Sequence, residues 1–440
     1  MGALYDVLVV PGENGAVLPR LATSWSSSDT ATRWRFELRT DAVFTNGRPV
    51  RAADVLYSLR RIAAKSAANG MRLGTVDVSK STADGEHAVV LATSQPDAEL
   101  PRTLAGATFV VPEGAETFER PVGSGPFRLS KVDSQGVALV RNDRWWGPRP
   151  HLDGLEIRGF ADPQALSAAV VSGAIDVAAN VSPAAAKAAE RTGRLTVGSR
   201  PAAMGYPLLM RLDKAPFDRP EVRQAVKLAV DRQKLVDTVL LGYGRVGNDA
   251  PSPADPSYPA ELKPPIQDLP RARALLAAAG YPDGLPVVLN TTTAYPGMVS
   301  AATLLADQLS GAGITAEVRQ HPPETYWTRV YTVEPLCLGY ATDLPFAVWM
   351  RQTALSVSSY NETGWKDAAS DREFARAMAI ENAGERTAVL RGLQERMAGG
   401  GGWLVWGSGA RLDVANEAVR GLPEGSGLAR IFLDSVWLRR

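Results

Sequence analysis

Alternation of hydrophobic and polar positions predicts strands in the first third of the chain. In RWRFELRT, Trp34, Phe36 and Leu38 fall on one face and charged residues fall on the other, which is the period of a half-buried strand. An Asn-Gly turn follows in FTNGRPV, and AADVLYSLRRIA then carries apolar residues at helical spacing. HAVVLAT, ATFVVP and GVALVRN are further predicted strands.

From about Leu155 onward, predicted strands and helices alternate. LEIRGF predicts a strand, after which Asp162 can cap a helix with Pro163 in its first turn. That helix ends near Gly173, and AIDVAAN is the next predicted strand. Because the connections of this strand–helix–strand unit are short, it favours a parallel sheet. A proline-rich stretch at 251–265 interrupts the alternation, which then continues to a late strand, WLVWGS.

Length and charge restrict the classes of partner. A chain of 440 residues has room for about two to four domains. With 48 basic and 47 acidic residues, the chain has no overall field that attracts nucleic acid. No stretch reaches the roughly 18–20 apolar residues that span a bilayer, so no transmembrane segment is expected. The single cysteine, Cys337, has apolar neighbours and is predicted to be a buried thiol rather than a nucleophile.

Segments that resemble motifs of catalysis or cofactor binding lack the neighbouring structure that those motifs require. GYGRVG at 242–247 matches a dinucleotide fingerprint in its letters. It follows a predicted helix and enters a proline-rich loop, whereas the fingerprint requires a strand before it and a helix after it. His87, His151 and His321 are far apart and lack neighbours at metal-ligand spacing. The sequence therefore predicts no cofactor, no metal site and no recognisable catalytic motif.

An ordered set of segments nevertheless resembles one family. The set runs through LPRLATSW, WRFELRTDAVFTNGRPVRAADVLYSLRR, GSGPFRL and LVRNDRWWGPRPHLDGLEIR. It continues through AAVVSGAIDVA, KAPFDRPEVRQAVKLAVDRQKLV and ARALLAAAGYPDG. Together these segments resemble the extracytoplasmic solute-binding proteins of peptide- and nickel-type ABC importers, over nearly the whole chain and least strongly near its end.

The resemblance implies an α/β fold of the periplasmic-binding-protein type. Two α/β lobes form a clamshell that closes on a ligand about a hinge, and a β-rich extra domain packs on the first lobe. The implied boundaries are 1–150 for the extra domain, 151–240 with 411–440 for the first lobe, and 241–410 for the second lobe.

The same resemblance implies where a ligand is held. In peptide-binding relatives an aspartate after a second-lobe strand pairs with the ligand's amino group, and LGYATDLPF places Asp343 there; the alternative for Asp343 is a turn or helix cap. Tyr340 stands where relatives often carry an aromatic residue, which can stack on a ligand or cover a cation. Arg211 replaces an asparagine of relatives, and an arginine at the cleft wall would favour a carboxylate. Further aromatic candidates, each with a core role as the alternative, are Tyr206, Trp327, Trp349 and Trp365.

Two functions of different classes follow from these expectations. The first is reversible capture of a small amine-bearing or peptide-like ligand by a monomer that delivers it to an ABC permease. Such a protein needs only a higher affinity in its closed state. The second is an enzyme built on the same scaffold, in which Asp343 acts as general acid or base on an amine substrate, for example in a Pictet–Spengler-type cyclisation.

The opening MGALYDVLVV bears on which of the two functions applies. It lacks the features of a secretory signal and resembles a family segment that follows the first strand of the first lobe. If a signal has been removed, the expected location is extracytoplasmic, as a membrane-anchored lipoprotein. If Met1 is the natural start, the expected location is cytoplasmic, which would favour the enzyme.

Overall fold

The computed structural model describes residues 1–28, 30–65, 73–106, 108–160, 162–424 and 432–439, with the backbone alone at 65, 201–204 and 341–342. The strands of the N-terminal half are β1 (Val9–Pro11), β2 (Val17–Pro19), β3 (Ala22–Ser27), β4 (Arg33–Leu38), β5 (Val76–Ala83), β6 (Ala88–Thr93), β7 (Phe127–Asp133), β8 (Gly136–Arg141), β9 (Gly154–Arg158) and β10 (Val177–Ala178). The later strands are β11 (Leu195–Met210), β12 (Gly244–Val246), β13 (Leu285–Thr292), β14 (Ile314–His321), β15 (Leu336–Leu338), β16 (Ala341–Thr342), β17 (Trp403–Asn416), β18 (Val419–Arg420) and β19 (Trp437–Leu438).

Helices are concentrated in the second half of the chain. Those before residue 240 are α1 (Ala52–Lys65), α2 (Leu100–Leu104), α3 (Pro163–Val171), α4 (Pro183–Glu190), α5 (Pro220–Ala229) and α6 (Arg232–Leu235), which continues into a π-helical turn at Val236–Leu240. Those after it are α7 (Leu269–Ala278), α8 (Met298–Ser310), α9 (Pro323–Thr325) with a π-helical turn at Tyr326–Val330, α10 (Phe346–Thr353), α11 (Ala368–Met378) and α12 (Ala383–Gly400). A short 3-10 turn lies at Glu13–Gly15.

Local sequence chemistry explains several of these elements. The Asp162 carboxylate accepts the backbone N–H of Gln164 at 2.9 Å, which confirms the predicted cap of α3. Trp34, Phe36 and Leu38 are buried on one face of β4, as the alternation predicts. Asn382 caps α12 by accepting the backbone N–H of Glu385.

The central feature is an eight-stranded sheet in which β10, β17, β11, β15, β13 and β14 follow one another, while β12 pairs with β17 and β16 pairs with β11. The two longest strands, β11 and β17, are antiparallel neighbours from Leu195 opposite Asn416 to Leu209 opposite Trp403. Their ladder is interrupted by register shifts between Arg200 and Met204 and again between Gly205 and Pro207.

Two separate cores flank this pair of strands. The larger one includes Leu208, Val226, Leu276, Leu305 and Trp406 and joins one end of the pair to α5–α8 and to the parallel strands β13 and β14. The smaller one packs α3 and α4 against the other end of β17, through residues that include Val170, Ala186, Leu412 and Val414. β11 and β17 are thus the strands that both cores share. This arrangement of helices packed on a mixed sheet is of the α/β class that the resemblance implied.

A third core belongs to the N-terminal region. The four-stranded sheet β3–β4–β6–β5 packs against α1 through residues that include Phe36, Val55 and Leu91. The domain boundaries stay a prediction. We propose moving one of them, because Val222 and Val226 of α5 pack in the same core as Leu276 of α7, so α5 groups with the second lobe rather than with the first.

Two local predictions are wrong. β9 pairs with β8 and β10 pairs with β17, both antiparallel, so the unit from 155 to 178 forms no parallel pair. The reason is that β9 lies next to β8 in the chain and completes an antiparallel three-stranded sheet with β7 and β8. ATFVVP, of which residues 108–112 are described, forms there a single isolated bridge, Phe109 to Val7, instead of a strand. No helix among the described residues is long and apolar enough to cross a membrane.

Candidate functional site

Strand register brings Tyr206 and Tyr340 together. Leu208 pairs with Leu338 and Gly205 pairs with Ala341, so Tyr206 of β11 stands opposite Tyr340, which lies between β15 and β16. The two rings meet edge to face with centroids 6.3 Å apart. Tyr206 is 1% exposed, and Tyr340 is half-buried. The sequence named both residues, and the structure places them in contact.

Three more rings extend this contact. Tyr206 stacks on Trp406 of β17 with centroids 5.7 Å apart, and Tyr340 stacks on Tyr295 with centroids 3.5 Å apart and planes at 8°. Tyr295 in turn meets the edge of Trp327 at 5.9 Å. We call Tyr206, Tyr295, Trp327, Tyr340 and Trp406 the aromatic cluster. Tyr206 and Trp406 belong to the larger core, and the other three rings pack against it.

Glycine makes room for the cluster on β17. A Cβ at Gly409 would lie 3.4 Å from the Tyr206 ring and 3.2 Å from Leu240, which is tighter than ordinary packing. A larger side chain there would displace the Tyr206 ring. Burial raises the pKa of both tyrosine hydroxyls, Tyr206 and Tyr340, so each stays a neutral hydrogen-bond donor at neutral pH.

A cation lies beside the cluster. The Arg411 guanidinium is 3.5 Å from the Tyr340 hydroxyl, and Arg411 is 9% exposed. It stands opposite Arg200 across β11 and β17. Arg200 forms a salt bridge with Asp413 and donates to the Pro423 carbonyl at 3.0 Å. Neighbouring strands therefore present one arginine with an acidic partner and one that faces tyrosines.

Asp343 comes directly after β16 and is half-buried. Thr342 stands opposite Met204 of β11, which stands opposite Gly409 of β17. Thr342, Met204 and Gly409 thus form one row across the three strands. β16 and β17 run in the same direction, so Asp343 and Arg411, which follow Thr342 and Gly409 in the chain, lie on the same side of that row. Strands are spaced about 4.8 Å apart, so the two backbones are separated by about 10 Å.

Other predicted site residues have packing roles. Arg211 donates to both carboxylate oxygens of Asp213, at 2.9 and 2.6 Å, and to the Thr332 and Asn361 carbonyls. Trp349 and Trp365 are 4% and 7% exposed, and both pack against Trp403 at 5.3 and 6.1 Å. Their roles as ligand contacts stay predictions, and the structure accounts for each of them by its packing.

Two residues of this site were not identified from the sequence. Tyr295 lies in a loop before α8, where no pattern distinguishes a stacked ring from a solvated one. Arg411 carried a signal, since it is a charged residue within an otherwise buried strand, WLVWGSGARLDVAN. Charges are rarely buried without a partner or a function.

We searched for metal ligands and for cavities away from the aromatic cluster. In the part of the chain that the structure describes, no group of three or more His, Cys, Asp or Glu residues could hold a metal ion. A cavity of about 430 Å³ lies in the N-terminal region, lined mainly by apolar residues that include Leu4, Ile62, Phe118 and Leu129. None of the predicted site residues lines it, and nothing indicates what would fill it.

Comparison with known proteins assigns the family. The profile of the bacterial extracellular solute-binding proteins, family 5, matches residues 16–352. The nickel-binding periplasmic protein of Escherichia coli K12 is 30% identical over 299 residues, which cover 63% of this chain and 56% of the relative. The dipeptide-binding protein of Pseudomonas aeruginosa PAO1 is 25% identical over 433 residues, which cover 89% of this chain and 81% of the relative.

Solved structures show the same fold. The ABC transporter-associated periplasmic binding protein DppA of Helicobacter pylori, in complex with the peptide STSA, superposes with a TM-score of 0.84 at 20% identity, covering 100% of this chain and 93% of that one. A putative peptide-binding protein, AppA, of Clostridium difficile gives a TM-score of 0.88 at 16% identity, with 100% and 95% covered. Since the family profile spans well over half of the sequence, the chain belongs to the family 5 bacterial extracellular solute-binding proteins.

Proposed function

We propose that the protein is the extracytoplasmic substrate-binding component of a peptide- or nickel-type ABC importer. Its ligand is a small, amine-bearing or peptide-like molecule held between the lobes and passed to a membrane permease. Family membership supports this class of function. The curated relatives include proteins named for binding dipeptides, glutathione and nickel.

The aromatic cluster is the observation that carries the proposal. Two of its rings, Tyr206 and Trp406, lie on the two strands that both cores share, where closure of the lobes would enclose a ligand. Its half-buried rings, Tyr295, Trp327 and Tyr340, offer an apolar contact area that tolerates different side chains. Such a surface suits a binding protein whose ligands vary in their side chains and share a polar backbone.

Asp343 supports the amine-binding part of the proposal. It is half-buried at the end of β16, next to the strand that carries Tyr206. A carboxylate in a partly desolvated cleft forms strong hydrogen bonds with an ammonium group. Nothing in this arrangement favours catalysis over reversible binding, so reversible binding is the function we propose.

A calorimetric titration of the purified protein with the dipeptide Met-Leu tests the proposal. We expect saturable binding with one site per chain, and we expect Asp343→Asn to weaken it about 10-fold or more, or ~1.4 kcal/mol. Asp213→Asn is the matched control, because the Asp213 carboxylate is 41% exposed and pairs with Arg211. Equal affinity of Asp343→Asn and wild type would refute the assignment of Asp343.

Mass spectrometry of the same incubation separates binding from chemistry. We expect the dipeptide to be recovered unchanged. A new mass that appears with wild-type protein and not with Asp343→Asn would replace the binding proposal with the enzymatic one.

A further inference from the structure

The segment 242–247, whose letters match a dinucleotide fingerprint, forms a third strand beside the pair that both cores share. β12 is antiparallel to β17, and Gly244 stands opposite Gly409. The chain enters this segment from Leu240, which is buried in the larger core, and leaves it at Val246, which packs against the same core. Both ends of the segment are therefore held by the larger core.

Tyr243, at the tip of this segment, contacts the smaller core instead. Its ring packs against that core, and its hydroxyl donates to the Glu190 carboxylate at the end of α4. The Lys187 ammonium lies 4.6 Å from the centre of the ring and 3.1 Å from Glu190. Leu241 and Gly242, with φ of 50° and 85°, turn the chain at this point, and leucine rarely adopts such a conformation. One side chain thus joins a segment of the larger core to a helix of the smaller one.

The hydrogen bond between Tyr243 and Glu190 has a charged acceptor. This bond and the neighbouring Lys187 hold the pKa of Glu190 below its usual value, while burial and the Glu190 carboxylate raise the pKa of Tyr243. At neutral pH a neutral donor therefore meets an anionic acceptor, which is the stronger class of hydrogen bond. Because Glu190 is exposed, water can replace the tyrosine when the two cores move apart.

Tyr243 and Asp343 lie at opposite edges of the shared strands. The row that begins at Thr342 continues across β11 and β17 to Gly244 of β12. β16 runs parallel to β17 and β12 runs antiparallel to it, so Asp343 and Tyr243 lie on the same side of this row. The row spans three strand spacings of about 4.8 Å, which separates the two backbones by about 14 Å. The ladder of β11 and β17 between them is irregular at this level.

We propose that Tyr243 and Glu190 form a latch that opposes closure of the ligand site. This inference rests on the proposed function, since it concerns closure around a ligand. A rotation about the shared strands that brings the two cores together at the Asp343 edge draws them apart at the Tyr243 edge. Closure therefore breaks the hydrogen bond of the latch, and the apparent affinity for a ligand is lower by the factor with which the latch favours the open state.

The first test needs no ligand. Single-molecule energy transfer between dyes on Ala168→Cys in α3 and Ala277→Cys in α7, both exposed positions, reports the relative placement of the two cores, and the buried Cys337 stays unlabelled. We expect Tyr243→Phe to shift the distribution of ligand-free protein. Tyr57→Phe is the matched control, because its hydroxyl bonds within the N-terminal region, and it should leave the distribution unchanged. Identical distributions for Tyr243→Phe and wild type would overturn the proposal.

The second test measures the affinity for Met-Leu. Tyr243→Phe should bind about 5-fold more tightly than wild type, and Tyr57→Phe should bind as wild type does. Glu190→Ala should show a similar gain, and combining it with Tyr243→Phe should add little, because both changes break the same contact. Equal or weaker binding by Tyr243→Phe would overturn the proposal. If wild type does not bind Met-Leu, the proposed function fails for this dipeptide, and the ligand-free distributions alone decide whether the latch exists.

Discussion

The indole N–H of Trp403 donates to the carboxylate of Glu362 at 3.0 Å, and the Tyr331 hydroxyl donates to its other oxygen at 2.9 Å. Glu362 is 6% exposed and contacts Tyr331 and Trp403 of the larger core. Burial raises the pKa of this carboxyl to about 7, against the opposing effect of the two hydrogen bonds. The core thus contains a group that changes charge near neutral pH.

Glu362→Gln should change how stability depends on pH. The folded protein holds the Glu362 proton more tightly than the unfolded chain does. Proton binding by Glu362 therefore contributes fully to the free energy of unfolding below pH 4.5, and this contribution is lost as the pH rises to about 7. The wild type should lose on the order of 3 kcal/mol across this window through this group, and the variant should not. Urea denaturation at several pH values measures the difference, and Glu317→Gln on the surface controls for the loss of one acidic residue. Parallel pH profiles of Glu362→Gln and wild type would contradict the prediction.

Asp249 joins two buried cations. Its carboxylate accepts from Arg232 at 2.7 Å and from the Val405 backbone N–H at 2.9 Å, and it lies 3.3 Å from the Lys227 ammonium. Asp249→Asn should cost about 3–5 kcal/mol of unfolding free energy, because it leaves buried positive charge uncompensated. Asp213→Asn, at an exposed ion pair, should cost about 1 kcal/mol or less. Urea denaturation measures the unfolding free energy of both variants. Similar losses of unfolding free energy would contradict the prediction that the buried cluster around Asp249 contributes more than the Asp213–Arg211 pair.

Two glycines should respond in opposite ways to alanine. A Cβ at Gly339 would lie 2.9 Å from Pro207 and 3.0 Å from the Tyr331 hydroxyl, whereas a Cβ at Gly392 would meet nothing within 4 Å. Gly339→Ala should therefore destabilise by about 1–3 kcal/mol through overpacking. Gly392→Ala, on the exposed face of α12, should stabilise by about 0.5–1 kcal/mol. Thermal unfolding of the two variants provides the measurement, and equal shifts of the same sign would rule out this packing.

Cys337 should report on unfolding. The thiol is 1% exposed, which confirms the predicted core position, and burial raises its pKa to about 12. Since the thiolate is the reactive form, a thiol reagent at neutral pH should label the native protein far more slowly than the urea-unfolded chain. Rapid labelling without denaturant would show that β15 opens readily.

Local patterns were sufficient to predict many elements. The alternation around Trp34 and Phe36, the Asp162 cap and the helical spacing of α1 each depend on residues close in sequence. The pairing of strands does not. Residues of β9 could pair with the preceding or the following strand, and the choice depends on neighbours in space that the pattern does not contain.

The family pattern named Tyr340, and Tyr206 was a further aromatic candidate; the structure brings the two rings into contact, while their roles as ligand contacts stay predictions. For Trp349 and Trp365, the residue type alone could not predict a position in the cleft, because a tryptophan is equally suited to a buried core. Arg211 shows a second limit, since Asp213, two residues along, already binds its guanidinium. The sequence pattern could have identified Arg411 as a charged residue in a buried strand. Only the pairing of β11 with β17 shows that Asp413, two residues further on, forms its salt bridge with Arg200.

The long ladder of β11 and β17 has a consequence for kinetics. Both cores are attached to one continuous pair of strands, and its register shifts lie between Arg200 and Pro207, beside the aromatic cluster. If the protein closes on a ligand as proposed, rotation of the lobes would be taken up as torsion at these irregular positions, with the regular backbone bonds on either side intact. Exchange of a ligand would then require no local melting, so opening and closing would not be limited by the rate of unfolding.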